Sequence, residues 1–384
     1  MARTLGSYAK LTKPKISEIA LHLFAEREDI DVFIELIGGH KGAAKEAVEI
    51  AISKGKHVVT ANKALLAHHG HKLALKAEEN GSIIRFEAAV AGGIPVIKSL
   101  TEGLAGNSIN RIMGVMNGTC NYILTRMESS GLSYDEVFSE ANELGYLEAD
   151  PNLDIGGIDA AHKLSILSSI AFGTEINFNG IEIDGIDKIT INDIHQAADM
   201  GFRIKLLGVS QMTSSGLEQK MSPCLVPTTS PLGQLEGGTN MIVIEGDQVG
   251  QIVLRGAGAG EGPTASAVIS DVVDLARGIS VATFGQPAKT LIKTSSSKSQ
   301  TPAPYYLRML LHDERGALAK ITKILSQFNV SIDRMRQYGH EDENAPVLIV
   351  THEISHEDLM TAIKELPNTK VLKAQPLAIR IEAV

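Results

Sequence analysis

Asp31–Gly39 reads DVFIELIGG, His57–Lys63 reads HVVTANK and Ile83–Pro95 reads IIRFEAAVAGGIP. Each is a short, nearly continuous apolar run that closes on glycine or small polar residues. Between the first two, Lys41–Ala51 has helical spacing, and a second helix is expected from Asn62-Lys63 to about Glu79, with Gly81 as its stop. Near-continuous strands alternating with helices predict a parallel sheet covered on both faces. In such sheets a ligand sits beyond the carboxyl ends of the strands. Those ends are Gly38-Gly39, Thr60-Ala61-Asn62-Lys63 and Ala91-Gly92-Gly93-Ile94-Pro95. A dinucleotide fold usually opens with a strand, a G-x-G-x-x-G turn and a helix, and that motif is absent. The nearest run, Gly256-Ala257-Gly258-Ala259-Gly260-Glu261-Gly262, fails at the third glycine and lies far from the N-terminus.

A second stretch points to chemistry. Gly145–Lys163, GYLEADPNLDIGGIDAAHK, sets out Glu148, Asp150, Asp154 and Asp159 and ends on a lysine. Asp159 and Lys163 stand at i and i+4, so on a helix they share one face. An exposed helical ion pair would be the bland account, worth little. Leu164, Ile166, Leu167, Ile170 and Ala171 continue the helix as an apolar segment, however. A carboxylate and an amine at the mouth of a buried helix suit a site for a small zwitterion.

The bulk properties narrow the class. A chain of 384 residues, 43% hydrophobic, is long enough for two or three domains with real cores. Its 36 basic and 45 acidic residues give a net charge of −9, mixed without long single-sign runs. That pattern argues against a nucleic-acid surface or a polybasic membrane patch. No apolar run reaches spanning length, and the basic N-terminal MARTLGSYAKLTKPK is followed by no hydrophobic stretch of the secretory kind. Cys120 and Cys224 are the only cysteines and form no CxxC, which points to a reducing, cytoplasmic setting without disulfides.

Downstream, Ser133 with Glu136 and Thr190 with Asp193 mark helix starts. Arg203–Ser210 and Leu217–Val226 read as strands. Met241–Ile244 and Val249–Leu254 flank the polar turn Glu245-Gly246-Asp247-Gln248 as a hairpin, and Thr264–Ala276 reads as a helix. Residues 286–303 (QPAKTLIKTSSSKSQTPA) have the composition of a linker. Beyond it, residues 304–384 follow the order βαββαβ of a ferredoxin-like unit.

The motifs GYLEADPNLDIGGIDAAHKLSIL, HVVTANKALLA, FEAAVAGGIPVI and NGTCNYIL together resemble homoserine dehydrogenase, in order, from about Asp31 to Gly278, and the C-terminal unit resembles an ACT regulatory domain. The resemblance implies an α/β fold in three parts. An incomplete Rossmann-like NAD(P)-binding domain would span residues 1–94 and an α+β catalytic and dimerisation domain 95–285, with helix 264–278 packing on the nucleotide domain. A linker would cover 286–303 and a ferredoxin-like ACT domain 304–384. Intact members begin with the glycine-rich strand–turn–helix, so this chain is expected to be roughly forty residues short, about one βαβ half-unit.

The implied reaction interconverts L-homoserine and L-aspartate 4-semialdehyde with NADP or NAD, on the route to threonine, methionine and isoleucine. By the same resemblance Lys163 would move the proton at the substrate oxygen, Asp159 and Glu148 would hold the ammonium end, and Lys63 would lie near nicotinamide and substrate. Gly38, Gly39, Asn62, Lys63, Gly145 and Gly260 would line the cofactor. A sodium ion would be held largely by backbone carbonyls at Glu87, Val90, Gly92 and Ile94, where the alternative is a purely structural turn. The ACT unit implies an amino-acid effector, threonine being usual, at His312–Gly316 and Asn329–Ile332, and a homodimer or homotetramer. A reading of a different class is an impaired fragment that serves as an amino-acid-binding or oligomerising subunit; cofactor binding separates the two.

Three further signals carry less. His352-Glu353-Ile354-Ser355-His356 matches H-E-x-x-H, but zinc chemistry needs both histidines on one helical face, and this segment closes a strand before a new N-cap. His68, His69 and His71 read as a solvated helix face. Cys120 reads as a small buried side chain rather than a nucleophile.

Overall fold

The computed structural model describes residues 18–147, 150–297, 301–337 and 344–383. Among them no helix is long and apolar enough to cross a membrane. The chain divides into two compact units, each assembled from separate segments. The first comprises the chain up to Asn110, His162–Asn179 and Glu245–Thr294; the second comprises Arg111–Ala161, Gly180–Ile244 and Ser295 onward.

The first unit begins with helix α1 (Glu18–Glu26) and is built on strands β1 (Val32–Glu35), β2 (His57–Thr60) and β3 (Ile84–Arg85), all parallel in the order β1-β2-β3. Between the first two runs α2 (Ala43–Ser53), burying Ala44, Ala47, Val48, Ala51 and Ile52 at helical spacing. Helix α3 (Lys63–Glu79) starts where Asn62 accepts the Leu65 N–H at 3.0 Å. Gly81, at φ +66°, follows its C-terminus. The third strand is shorter than the expected run to Val90. After Arg85 the chain enters a 3-10 turn, Glu87–Ala89, because the Glu87 carboxylate accepts the N–H groups of Ile97 and Lys98 at 2.9 Å each. The Glu87 N–H in turn donates to Asp271 at 2.8 Å.

In the second unit, strands β6 (Phe202–Thr213) and β7 (Gly216–Pro227) form a twelve-pair antiparallel ladder from Phe202↔Pro227 to Thr213↔Gly216. With β4 (Ile109–Val115) and β8 (Thr239–Gly246) they cover a core that includes Met113, Leu207, Cys224, Leu232 and Val243. Helices α4 (Gly118–Ser130), α5 (Tyr134–Glu143), α6 (Pro151–Ile155) and α7 (Ile158–Phe172) follow β4 in sequence. Ser133–Glu136 and Thr190–Asp193 both form capping boxes, the latter opening α8 (Ile191–Asp199). Strand β9 (Gly250–Ala257) and helix α9 (Glu261–Ala276) belong to the first unit.

The C-terminal part is β11 (Tyr305–His312), α10 (Ala317–Gln327), β12 (Ile332–Gln337), β13 (Asn344–Thr351), α11 (His356–Glu365) and β14 (Leu377–Ile381), in sheet order β12-β13-β11-β14 with antiparallel pairings. Leu307, Ile321, Leu325, Ile349 and Leu359 fill its core. This sheet does not stand apart. Strand β14 pairs parallel with β7, Arg380 opposite Cys224, so the ferredoxin-like sheet continues into the long ladder.

The segment with linker composition is also built in. Ala288–Thr290 is a 3-10 turn whose Ala288 N–H donates to Glu78 at 2.7 Å, and Ile292 N–H reaches Gly173 O at 3.0 Å. Residues Ser296–Ser297 then form the short strand β10, parallel to β7, where Ser296 pairs with Leu217. Leu291 and Ala288 are buried, which gives the segment an apolar anchor that its serine-rich composition hides.

Candidate active site

The loops that follow β1 and β2 are tied to each other by one buried carboxylate. Glu35 Oε1 accepts the N–H groups of Ile37 (2.7 Å) and Gly38 (3.0 Å), and its Oε2 accepts the Thr60 hydroxyl at 2.7 Å. Thr60 Oγ1 accepts Asn62 N–H at 2.9 Å, and Asn62 Nδ2 donates to Gly39 O at 2.8 Å. Gly38 and Gly39 lie at φ +90° and +81° with open space where a Cβ would stand. Side chains rarely adopt that backbone, so the loop can present its peptide groups directly to a ligand. Gly38, Gly39, Asn62 and Lys63 are therefore brought together at the carboxyl edge of the parallel sheet, with Lys63 opening α3. A glycine cradle beside a helix N-terminus fits the phosphates of a dinucleotide.

The loop after β3 meets the glycine-rich run. Gly93 N–H donates to Ala257 O at 3.0 Å, and a Cβ on Gly92 would stand 2.6 Å from Gly258 O. Gly260, φ +113°, is the N-cap residue of α9. Ala91 and Gly92 both take positive φ (57° and 52°), curling the backbone around Val90 and Ile94, which are buried. The Glu87 side chain is already spent on Ile97 and Lys98; burial pushes its carboxyl up to about 7, with Asp271 adding to the shift. A cation here would thus be met by neutral carbonyl oxygens, a donor set suited to a hard, weakly held ion.

Asp159 and Lys163 lie on α7, the first in its opening turn, at 6% and 8% exposure. Apart from Asp159, His162 and Lys163 the helix is apolar or small: Ala160, Ala161, Leu164, Ile166 and Leu167 are fully buried, and Ser165 and Ser168 return their hydroxyls to the carbonyls of His162 and Leu164. His162 stacks on Phe178 (4.4 Å between centroids) and meets His68 edge-on at 5.4 Å, while His40 stacks on His68 at 4.2 Å. Two histidines of α3, His68 and His69, thus join His40 in an aromatic cluster while His68 stays exposed, and His71 instead sets its Nε2 3.0 Å from Ala288 O. Partial desolvation first, then the neighbouring His40, holds His68 below the ordinary histidine range.

Glu148 lies outside the described residues. Gly145, φ +74°, ends the turn after α5 with its N–H on Asn142 O at 3.1 Å. Two residues that sequence reading left without a role stand beside Asp159. Asp154, 4% exposed, and Asp159 share one donor, the amide of Asn117. Cys120 is buried, and its thiol donates a hydrogen bond to Asp154 O at 3.2 Å. The H-E-x-x-H match fails structurally, since His352 precedes the helix that Ser355 caps and His356 begins.

A parallel sheet with glycine loops at its carboxyl edge, a carboxylate and an amine on a buried helix, and an appended βαββαβ unit define an NAD(P)-dependent enzyme with a regulatory module. Comparison with known proteins makes the class specific. The homoserine dehydrogenase profile matches residues 95–273, its NAD-binding domain profile 8–87, and the ACT domain profile 305–368. Homoserine dehydrogenases from Neisseria gonorrhoeae and Pseudomonas aeruginosa are 43% and 42% identical. The alignments cover 93% and 92% of this chain, and 84% and 83% of those proteins. A crystal structure of the Thiobacillus denitrificans homoserine dehydrogenase superposes with a TM-score of 0.90 at 39% identity, over 96% of this chain and 85% of that one. A hyperthermophilic archaeal homoserine dehydrogenase in complex with NADPH superposes at 0.62 with 28% identity, over 73% and 82%. The chain belongs to the homoserine dehydrogenase family: its reaction is the NAD(P)-dependent interconversion of L-homoserine and L-aspartate 4-semialdehyde.

Proposed function

We propose that Lys163 moves the proton at the substrate's reacting oxygen while Asp159 and Glu148 hold its ammonium end. The observation that carries this is the placement of Asp159 and Lys163, one helical turn apart, on a helix whose other buried ionisable side chain among its described residues is His162. A general acid–base group must sit within reach of the atom it serves and apart from bulk water, and Lys163 is almost wholly buried. The nicotinamide, when bound, supplies or accepts the hydride. The chain's own part is to seat it: Gly38 and Gly39 offer open backbone, Asn62 fixes that loop, and Lys63, Gly145 and Gly260 complete the lining. The NADPH of the archaeal relative favours NADP. A monovalent cation, sodium by the family's habit, would rest on the carbonyls of Glu87, Val90, Gly92 and Ile94 and stiffen the loop beside Gly258. The ACT unit would take an amino acid such as threonine near His312–Gly316, where Gly316 sits at φ +82° and Glu314 is held by Lys320 at 2.8 Å. Pairing of such units would give a dimer or tetramer.

The test follows nicotinamide absorbance with homoserine and NADP. Lys163→Ala should lower kcat about 10²- to 10⁴-fold, the usual weight of a general acid–base group, with an unchanged melting temperature for the NADP complex. Near-normal turnover in that variant would end the assignment.

A further inference from the structure

We propose that Asn117 is the positioning residue for the substrate's ammonium site, its amide aiming the carboxylates of Asp159 and Asp154; this rests on the reading of Asp159 given above. Asn117 is the N-cap of α4, and its Oδ1 accepts the Cys120 N–H at 2.8 Å. With that oxygen committed to the helix, the planar amide has one direction left for its nitrogen. Nδ2 points at the acids, donating to Asp154 Oδ1 at 2.9 Å and to Asp159 Oδ2 at 3.3 Å. All three side chains are at least nine-tenths buried, so water is no substitute for the amide.

The helix start that carries Asn117 is itself fixed on several sides. One turn on, Asn121 Oδ1 accepts the buried Lys205 Nζ at 2.9 Å, and its Nδ2 donates to Gly237 O at 2.7 Å. Gly118 leaves no room for a side chain, since a Cβ there would lie 2.5 Å from Gly238 O. Cys120 reaches Asp154 O. A rigid N-cap is thereby turned into a ruler. The capping bond sets where the amide protons point, and they hold two neighbouring acids, which would otherwise repel, in one fixed orientation for the substrate's ammonium.

The amide's two jobs can be separated. Serine caps a helix about as well as asparagine but has no second donor to reach the acids. In Asn117→Ser, which keeps the cap but strips the donor from both buried acids, the melting temperature should fall less than in Asn117→Ala, while kcat/KM for homoserine falls on the order of 100-fold, the scale of a misplaced binding group. The KM for homoserine should rise and that for NADP should not. Asn117→Ala should show the same kinetic loss together with a lower melting temperature. The proposal is overturned if Asn117→Ser keeps kcat/KM within about twofold of wild type, if the KM for NADP rises in step, or if the kinetic losses of the Ser and Ala variants scale with their losses of melting temperature. Asp159→Asn, assayed alongside, separates the two levels of argument. A homoserine KM unchanged in that variant would refute the role of Asp159 and with it the proposal, whereas a raised one beside an unaffected Asn117→Ser would refute the positioning role alone.

Discussion

The two sheets are held together by different means. In the first unit the strands are four, four and two residues long, too short to fix their own loops, and the carboxyl edge is organised by side chains: Glu35 on three donors, Asn62 on Gly39. In the second unit the β6–β7 ladder runs for twelve pairs and sets its own register, and the C-terminal strand adds to it directly. The comparison teaches where damage should appear. Breaking the polar ties of the short sheet should show as weaker cofactor binding, and breaking buried contacts around the long ladder should show as lost stability with intact chemistry per folded molecule.

The largest such effect is expected at Arg380. Its guanidinium donates to Glu382 (2.6 Å) and to Thr301 O (3.0 Å), and Glu382 also pairs with Arg111; Arg380 and Glu382 are nearly inaccessible. Removing Arg380 leaves the buried Glu382 to Arg111 alone and Thr301 O without this donor, which costs about 3 kcal/mol, the low end for a broken buried pair. Arg380→Met should lose that much in urea unfolding while kcat per folded enzyme holds. A loss below about 1 kcal/mol would place this seam with surface ion pairs instead.

Lys205 tests the same region through pH. Burial holds its ammonium down to about 8, against 10.5 for an ordinary lysine. Between those values the unfolded chain binds the extra proton, so folding gains stability as pH rises through the window; below it the folded state bears the cost of a buried charge. Relative to Lys205→Met, wild type should gain about 3 kcal/mol between pH 8 and 10.5. A flat difference across that range would mean the lysine is better solvated than its burial implies. At neutral pH the variant is not simply relieved, because Asn121 Oδ1 loses its donor.

What was legible in the sequence divides along the same line. Strand β2, the capped start of α3 at Asn62, both capping boxes and the βαββαβ order were readable, since each is a local pattern. Ile83–Val90 was not, because the break after Arg85 comes from Glu87 meeting Ile97 and Lys98, and from Asp271 far along the chain. In the stretch with linker composition, residues 286–297 are held by Glu78, Gly173 and β7, partners that composition does not record. At the site, Asp159 and Lys163 were readable from their i, i+4 spacing at the start of an apolar helix and Gly38-Gly39 from the end of a strand, while the roles expected of them came from motif resemblance. Asn117 sat inside a quoted motif, NGTCNYIL, and an Asn before a helix is a recognisable cap. That its other end holds two acids depends on residues 37 and 42 positions away, which no local pattern records.

In the short sheet the effect should be functional and smaller. Glu35→Gln keeps the shape but replaces a carboxylate that binds two backbone N–H groups and a hydroxyl. Thr60 can turn its hydroxyl to accept from the amide, so the chief loss is the charge assistance at Ile37 and Gly38. The KM for NADP should rise about tenfold, the equivalent of roughly 1.4 kcal/mol, with homoserine KM unchanged at saturating cofactor. A fall in melting temperature with unchanged KM would show that Glu35 serves the sheet rather than the loop.

The finest discrimination comes from two capping boxes of the same design in different surroundings. Ser133 and Glu136 exchange their bonds at an exposed helix start. Thr190 and Asp193 do so with Asp193 fully buried and paired to Arg308 at 3.1 Å. Ser133→Ala should cost about 1 kcal/mol, since water replaces the lost acceptor. Thr190→Ala should cost about twice that, because it also takes the hydroxyl from a carboxylate that water does not reach and from Arg308 Nη1 at 3.2 Å. If urea unfolding gave equal losses, burial would not be amplifying the cap, and the stability of the α8–β11 contact would rest on the Arg308–Asp193 pair alone.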